Sequence, residues 1–215
     1  MALVVYKPGF LDAFHKQERR FKFMEKELII KQAWEKHGVA AVVWDAAVVL
    51  SEYLESSVQA GELRLDGSKL LELGAGTGLV GMMAALLGAK VTLTDRLEVI
   101  DSLTVNVENN FRDGKTSITV KELEWGKNLE DFSEKYDFII GADIVYIKES
   151  FTALLHTLSE LSQPNTKVLL SCRIRYQKDL DFLKMLKSKF SVDEVHFDKT
   201  KCIHIYLAKK LFENT

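Results

Sequence analysis

Residues Leu70 to Gly81 read LLELGAGTGLVG, an apolar run that breaks into three alternating glycines and resumes as small and apolar residues. Gly74, Gly76 and Gly78 carry no Cβ, so the backbone there can turn tightly, adopt positive φ and let a ligand approach closely. The flanks predict a strand over Lys69 to Leu73 and a helix over Leu79 to Leu87 that stops at Gly88, a left-handed C-terminal cap. Spacing then separates the loop types. A dinucleotide loop runs G-x-G-x-x-G, so that a pyrophosphate rests on the helix N-terminus, whereas here Leu79 stands in the last place. No Gly-Lys-Ser/Thr follows, which excludes a P-loop.

After the loop, apolar runs of four to seven residues alternate with stretches of helical period, the pattern of a parallel sheet with crossover helices. Strands are predicted at Lys90 to Thr94, Ile118 to Leu123, Tyr136 to Ala142 and Lys167 to Cys172. Helices are predicted at Leu97 to Asn110, Glu149 to Leu161 and Asp179 to Phe190. The last two strands, Val192 to Phe197 and Cys202 to Leu207, are joined only by Asp198 to Lys201, too short for a crossover helix, so they must pair antiparallel. The fold expected is a Rossmann-like α/β sheet of seven strands with an antiparallel last strand. Ahead of it, Phe21, Phe23, Leu28 and Ile30 flank Glu25 to Glu27 and predict a β-hairpin, followed by a helix over Asp45 to Val58. No repeat or linker marks a second domain, so residues 1–60 are expected to form an extension packed on a core of residues 61–215.

Composition narrows the function classes. The chain of 215 residues, 47% hydrophobic and 28% charged, is large enough for one full core, and it has no apolar run of membrane-spanning length. Its Met1 to Gly9 start lacks the form of a signal peptide, which leads to the expectation of a cytoplasmic protein, with the nucleus as a second compartment. A net charge of -2 without a long basic cluster argues against a nucleic-acid partner. Cys172 and Cys202 both fall in strand-like runs and read as buried free thiols rather than metal ligands; no metal is expected.

Two carboxylates flank the glycine loop. Glu72 stands two residues before Gly74, and Asp95 ends the next strand, the place from which a carboxylate accepts hydrogen bonds from ribose hydroxyls. Acidic oxygens suit a ligand with a sulfonium and an ammonium and would repel a pyrophosphate. The cofactor expected is therefore S-adenosylmethionine, held by Glu72, the loop Gly74, Ala75, Gly76, Thr77 and Gly78, and Asp95. The plainer alternative is a ligand-free glycine turn with Asp95 capping the helix that follows. Trp125 follows the third strand of the sheet at its carboxyl edge, where an indole can cover a purine or face a sulfonium; core packing is the competing account. Asp143 and Tyr146 end the fourth strand, where open α/β sheets place reactive groups, and are the candidate catalytic pair. A helix cap for Asp143 and simple packing for Tyr146 are the competing accounts. Arg173, Arg175 and Tyr176 follow the fifth strand and suit either a substrate face or surface ion pairs.

AAVVWDAA (Ala40 to Ala47), LLELGAGTGLVG, TLTD (Thr92 to Asp95), LEWG (Leu123 to Gly126), GADIVY (Gly141 to Tyr146) and SCRIRY (Ser171 to Tyr176) together resemble the seven-strand non-histone protein-lysine methyltransferases, in particular the branch that methylates Hsp70-type chaperones. The resemblance implies a class I methyltransferase fold and a lysine of an Hsp70-family chaperone as substrate of a monomeric enzyme. By the same resemblance Trp44 packs beside the cofactor, Gly74 to Gly76 form its floor, Asp95 holds the ribose, Trp125 covers the adenine and Ala142 touches it from the fourth strand. The segment Tyr6 to Arg20 matches least and is where partner choice is expected to reside. Other readings left open are a methyltransferase for another protein, a metabolite or RNA, a non-catalytic chaperone-binding module, and a NAD-dependent oxidoreductase, which the missing third Rossmann glycine disfavours.

Overall fold

The structure, a computed structural model, describes Ala13 and residues 15–112 and 117–211. The Met1 to Gly9 start and the first part of the Tyr6 to Arg20 segment lie outside the described residues.

Alternation of buried positions builds the centre of the molecule. Strand β3 (Lys69–Leu73) turns Leu70 and Glu72 to one face of the sheet and Leu71 and Leu73 to the other, all of them buried. β1 (Glu18–Phe23) and β2 (Lys26–Lys31) form the hairpin, and β4 (Lys90–Asp95), β5 (Ile118–Glu122), β6 (Phe138–Ala142), β7 (Lys167–Cys172), β8 (Phe190–Asp198) and β9 (Ile203–Lys210) complete the strands. The main sheet has the order β5-β4-β3-β6-β7-β9-β8. β3, β4, β5, β6 and β7 pair in parallel, while β9 lies antiparallel to both β7 and β8. This is the seven-strand sheet expected from the sequence, its hairpin folded so that β9 slots in beside β7.

Helices cover both faces. Residues of α1 (Asp45–Gln59) and α2 (Leu79–Leu86), together with Leu103 of α3 (Leu97–Asn110), pack on the face that carries Leu70, Val91, Leu93, Ile140 and Leu169. α4 (Phe151–Leu161) and α5 (Gln177–Lys187) cover the face that carries Leu71, Leu73, Ile139, Val168 and Leu170. Because the central strands β3, β6 and β7 are buried on both faces while the edge strand β5 is not, ground near the sheet centre opens at its carboxyl edge. The chain reverses there between β3 and β6, the topological switch where open α/β sheets form a crevice.

The hairpin is a separate two-stranded sheet whose turn, Met24-Glu25, has positive φ at both residues (47° and 62°), the geometry that matches strand twist in a two-residue loop. Its outer strand is covered rather than left open. Asn110 Oδ1 accepts from Ile29 N (2.8 Å) and Asn110 Nδ2 donates to Ile29 O (2.9 Å), while Asn106 Oδ1 accepts from Lys31 N (2.9 Å). Two amides on one stripe of α3 thus serve β2 as a neighbouring strand would.

Two expectations are corrected, and one competing account is set aside. Helix α5 starts at Gln177 and stops at Lys187, and Phe190 opens β8 instead of closing the helix. Cys202 is not in a buried strand: it sits exposed in the β8–β9 turn with φ 53°, and only Cys172 is a buried thiol. Asp143 caps no helix, because its carboxylate is committed to an arginine, as described below. Among the described residues, no helix is long and apolar enough to cross a membrane.

Candidate functional site

The glycine loop leaves β3 in left-handed backbone, with φ of 62° at Gly74, 55° at Gly76 and 82° at Gly78. Its closeness to neighbours explains why no side chain would do. A Cβ on Gly74 would lie 2.8 Å from Ile144 Cγ2 and 3.4 Å from Trp125 Cζ2, and one on Gly76 would lie 2.8 Å from the Ala40 carbonyl oxygen. These contacts bring together four distant parts of the chain: the N-terminal segment at Ala40, the loop, Trp125 beyond β5, and Ile144 beyond β6. Ala75 and Thr77 are buried within the loop, and Ala75 N donates to Thr94 O of β4 (2.9 Å).

Asp95 closes the loop from the end of β4. Its Oδ2 accepts from Gly76 N (2.7 Å) and its Oδ1 from Arg96 N (2.8 Å). Burial pushes this carboxyl above its usual range, and the two backbone N–H groups and the Arg96 charge oppose the rise. Glu72 is placed differently from the position its sequence suggests. It is 2% exposed, points beneath the first turn of α2 and accepts from Gly81 N (2.7 Å). Burial raises its pKa to about 8, against the Gly81 bond and with a further push from Asp95. It braces the loop from below, and Gly81 leaves it room, since a Cβ there would lie 2.6 Å from Glu72 Oε2.

Of the two tryptophans expected at the site, Trp125 is half-buried with its indole edge beside Gly74. Trp44 is half-buried at the start of α1 and donates its indole N–H to Val39 O (2.9 Å), which fixes it to the segment that touches Gly76. Ala142, half-buried, ends β6 beside Ser171 of β7.

Asp143 follows with φ 54°, a left-handed conformation uncommon for an aspartate and costly unless neighbours enforce it. Its backbone N–H donates to Ser171 O (2.7 Å), and its carboxylate takes both arms of Arg175, Nη1 to Oδ1 at 3.0 Å and Nη2 to Oδ2 at 2.9 Å. Burial works against the Arg175 cation, but the Asp143 carboxylate outweighs it and holds the guanidinium above its ordinary range. Tyr146 stands at the mouth, 42% exposed, its phenol raised by partial burial; Arg96 opposes this and Asp95 and Asp143 add to it. Tyr146 thus shares one crevice with the acids of both strand ends. Arg173 turns away to Lys201 O (2.6 Å) and Asp45 (3.3 Å) and supports the β9 turn.

The cradle fits S-adenosylmethionine: bare glycine backbone at Gly74, Gly76 and Gly78, an indole alongside, and an Asp95 carboxylate at the end of the adjacent strand. Residues 22–189 match the profile of the family described as lysine methyltransferase. The chain belongs to that family. It is 50% identical to the protein N-lysine methyltransferase METTL21A of Danio rerio, over 100% of this chain and 99% of the relative, and 50% identical to that of Mus musculus, over 98% and 97%. It is 38% identical to the EEF1A lysine methyltransferase 3 of Xenopus tropicalis, over 88% and 84%. Two solved structures share the fold: the Synechocystis magnesium protoporphyrin IX methyltransferase with bound SAM (TM-score 0.61, 18% identity, 82% of this chain and 83% of that one) and the Thermus thermophilus 16S rRNA methyltransferase RsmC with AdoMet and guanosine (TM-score 0.63, 19% identity, 91% and 51%).

Sequence reasoning missed two residues of this family member's site. Asn106 Nδ2 donates to both Lys31 O and Thr77 O (3.1 Å each), so a buried amide ties the hairpin to the cofactor loop. An asparagine on the stripe Val99, Leu103, Asn106, Asn110 was the available signal, since a buried amide demands partners. Ile144 was the other: inside DIVY its side chain fills the space over Gly74 and Gly141.

Proposed function

We propose that this enzyme transfers a methyl group from S-adenosylmethionine to a lysine side chain of an Hsp70-family chaperone. The observation that carries the reading is the convergence of Gly74, Gly76, Asp95, Trp125, Asp143 and Tyr146 on one crevice at the carboxyl edge of β3, β4 and β6. The chaperone rests on the resemblance of DIVY, SCRIRY and AAVVWDAA to the Hsp70-methylating branch.

In this reading the loop Gly74 to Gly78 and Asp95 hold the adenosyl part, Trp125 lies along the purine, Trp44 and Ala142 shape the remaining walls, and Glu72 braces the loop from below. When bound, the cofactor supplies an electrophilic methyl on a sulfonium: the N–CH3 bond forms as the S–CH3 bond breaks, the electron pair stays with sulfur, and the lysine nitrogen gives up one proton to solvent. The chain's own task is to present that nitrogen as a free amine in line with the methyl. A lysine has a pKa of about 10.4, so presenting it neutral at pH 7 costs about 4 to 5 kcal/mol unless the site lowers that pKa. The Tyr146 ring at the mouth and the apolar Ile144 and Ile147 beside it supply partial desolvation for the lysine stem, and the Tyr146 hydroxyl supplies a hydrogen-bond partner for the amine.

The test is mass spectrometry of a purified Hsp70 chaperone after reaction with the enzyme and S-adenosylmethionine, with Asp95→Ala as control. Mass increments of one or more methyl groups on a lysine are expected with the wild type, and at least a hundredfold less with the variant. An unmodified chaperone beside intact cofactor binding removes the chaperone as substrate. EEF1A, for which the 38% identical relative is named, is then the next protein to offer.

A further inference from the structure

The ion pair at the end of β6 and β7 is an odd one for an enzyme that handles lysine. An acid placed to capture an ammonium should meet it with free lone pairs. Asp143 has both carboxylate oxygens occupied by Arg175, in a two-armed geometry, and its side chain is only 7% exposed against 30% for the arginine. Each member is fixed from behind. Asp143 N is bonded to Ser171 O, and the buried Asp179 carboxylate accepts from Arg175 N (2.7 Å) and Tyr176 N (2.9 Å), which sets the turn into α5. The left-handed φ of Asp143 is part of this arrangement, a strained turn that aims the carboxylate at the arginine.

The chemistry of amine methylation gives the pair a purpose. A carboxylate left unpaired beside the incoming nitrogen would favour the charged ammonium, which has no lone pair to accept a methyl. We propose that Arg175 is a positioning residue that neutralises Asp143, so that the substrate lysine enters the crevice as a free amine and is not trapped as an ammonium. This rests on the lysine methyltransferase reading above.

The other charges around the pair leave that balance in place. From β7, the Cys172 thiol has its pKa raised to about 12 by burial and carries no charge. From α5, Asp179 is spent on two backbone N–H groups and Lys178 Nζ donates to the Tyr146 carbonyl. Tyr146 itself is neutral, and across the crevice Asp95 and Arg96 are of opposite sign. Removing one member of the Asp143–Arg175 pair therefore changes the charge next to the amine by one unit.

The experiment compares the purified full chain with Arg175→Met, Asp143→Asn and the double variant, using an Hsp70 chaperone as substrate and initial rates from about pH 6.5 to 9.5. For Arg175→Met the acid limb of the kcat profile is expected to move up by about one pH unit, with kcat near pH 7.5 down about tenfold and KM unchanged within about twofold or lower. For Asp143→Asn the limb moves down, and in the double variant it returns to the wild-type midpoint. S-adenosylmethionine affinity by calorimetry stays within about twofold throughout, a readout independent of turnover. A rise in KM with an unmoved limb, or limbs that move in the same direction in both single variants, overturns the role of Arg175. Should Arg175→Met fail to fold, the isosteric Asp143→Asn carries the test through its downward shift. If the wild type leaves the chaperone unmethylated, the profiles are read on total protein of a cell extract. A wild type that binds cofactor and labels no protein overturns the lysine reading itself, whereas labelling with unmoved midpoints overturns only the proposal about Arg175.

Discussion

The two ends of the crevice are built from different materials. At the β3–β4 end the contacts are made by backbone: glycines in left-handed conformation, an Ala40 carbonyl, and a buried Glu72 and a half-buried Asp95 whose carboxylates accept backbone N–H groups of Gly81 and Gly76. At the β6–β7 end the contacts are made by side chains: Tyr146, Ile147 and Tyr176 stand exposed, and Asp143 and Arg175 are joined in a two-armed ion pair. Closed backbone suits a small ligand that never changes, and exposed side chains suit a protein surface that must come and go. Substitutions at the first end should therefore strike cofactor affinity, and those at the second should strike the substrate.

The sharpest way to break this contrast is Gly76→Ala. The new Cβ would meet a backbone oxygen at 2.8 Å, which cannot rotate away as a side chain can, and the residue must still hold φ near 55°. Left-handed backbone alone costs a non-glycine residue roughly 1–2 kcal/mol, and the collision adds to it. We expect S-adenosylmethionine affinity by calorimetry to fall at least about a hundredfold, about 2.7 kcal/mol. A variant that binds cofactor within a few-fold of wild type would show that the loop is not the rigid floor described here.

A second, smaller effect concerns Glu72. Its folded pKa of about 8 lies above its unfolded value, so between those limits the folded protein holds a proton that the unfolded chain has lost. Stability contributed by the neutral form is full at acidic pH and is lost as pH rises through this window. Glu72→Gln keeps the acceptor for Gly81 N and removes the titration. Thermal or urea unfolding at pH 6.5 and pH 8 should show wild type losing on the order of 1–2 kcal/mol more than the variant across that span. Equal losses would place the carboxyl in wetter surroundings than its burial indicates.

Legibility in the sequence divides along the same line. Everything specified by spacing within one segment could be read: the glycine loop, the parallel strands, the short β8–β9 link that forces antiparallel pairing, and the hairpin, though its turn falls at Met24-Glu25 and not at Glu25 to Glu27. What depended on two distant segments could not. Glu72 was read as a loop-side ligand, yet strand alternation turns it with Leu70 toward α2, where Gly81 leaves a space that spacing alone does not reveal. Cys202 looked like strand because apolar residues follow it, but the tight β8–β9 turn claims it. The Asp143–Arg175 pair joins residues on two strand ends through one left-handed turn, and no periodicity encodes a positive φ at an aspartate.

The smallest effect sharpens the contrast from the exposed side. Tyr146 is 42% exposed, and its hydroxyl belongs to none of the bonds that hold Asp95 or Asp143 in place. Tyr146→Phe preserves the ring that lines the crevice and deletes only a partner for the incoming amine. A neutral hydrogen bond of this kind contributes about 0.5–1.5 kcal/mol net, so methylation at subsaturating substrate should slow about three- to tenfold. Cofactor affinity and melting temperature should stay at wild-type values, because the ring still packs and the loop is untouched. If instead Tyr146→Phe weakens S-adenosylmethionine binding as much as it slows methylation, the hydroxyl belongs to the cofactor end, and the division between a backbone-built half and a side-chain-built half runs through the wrong residue.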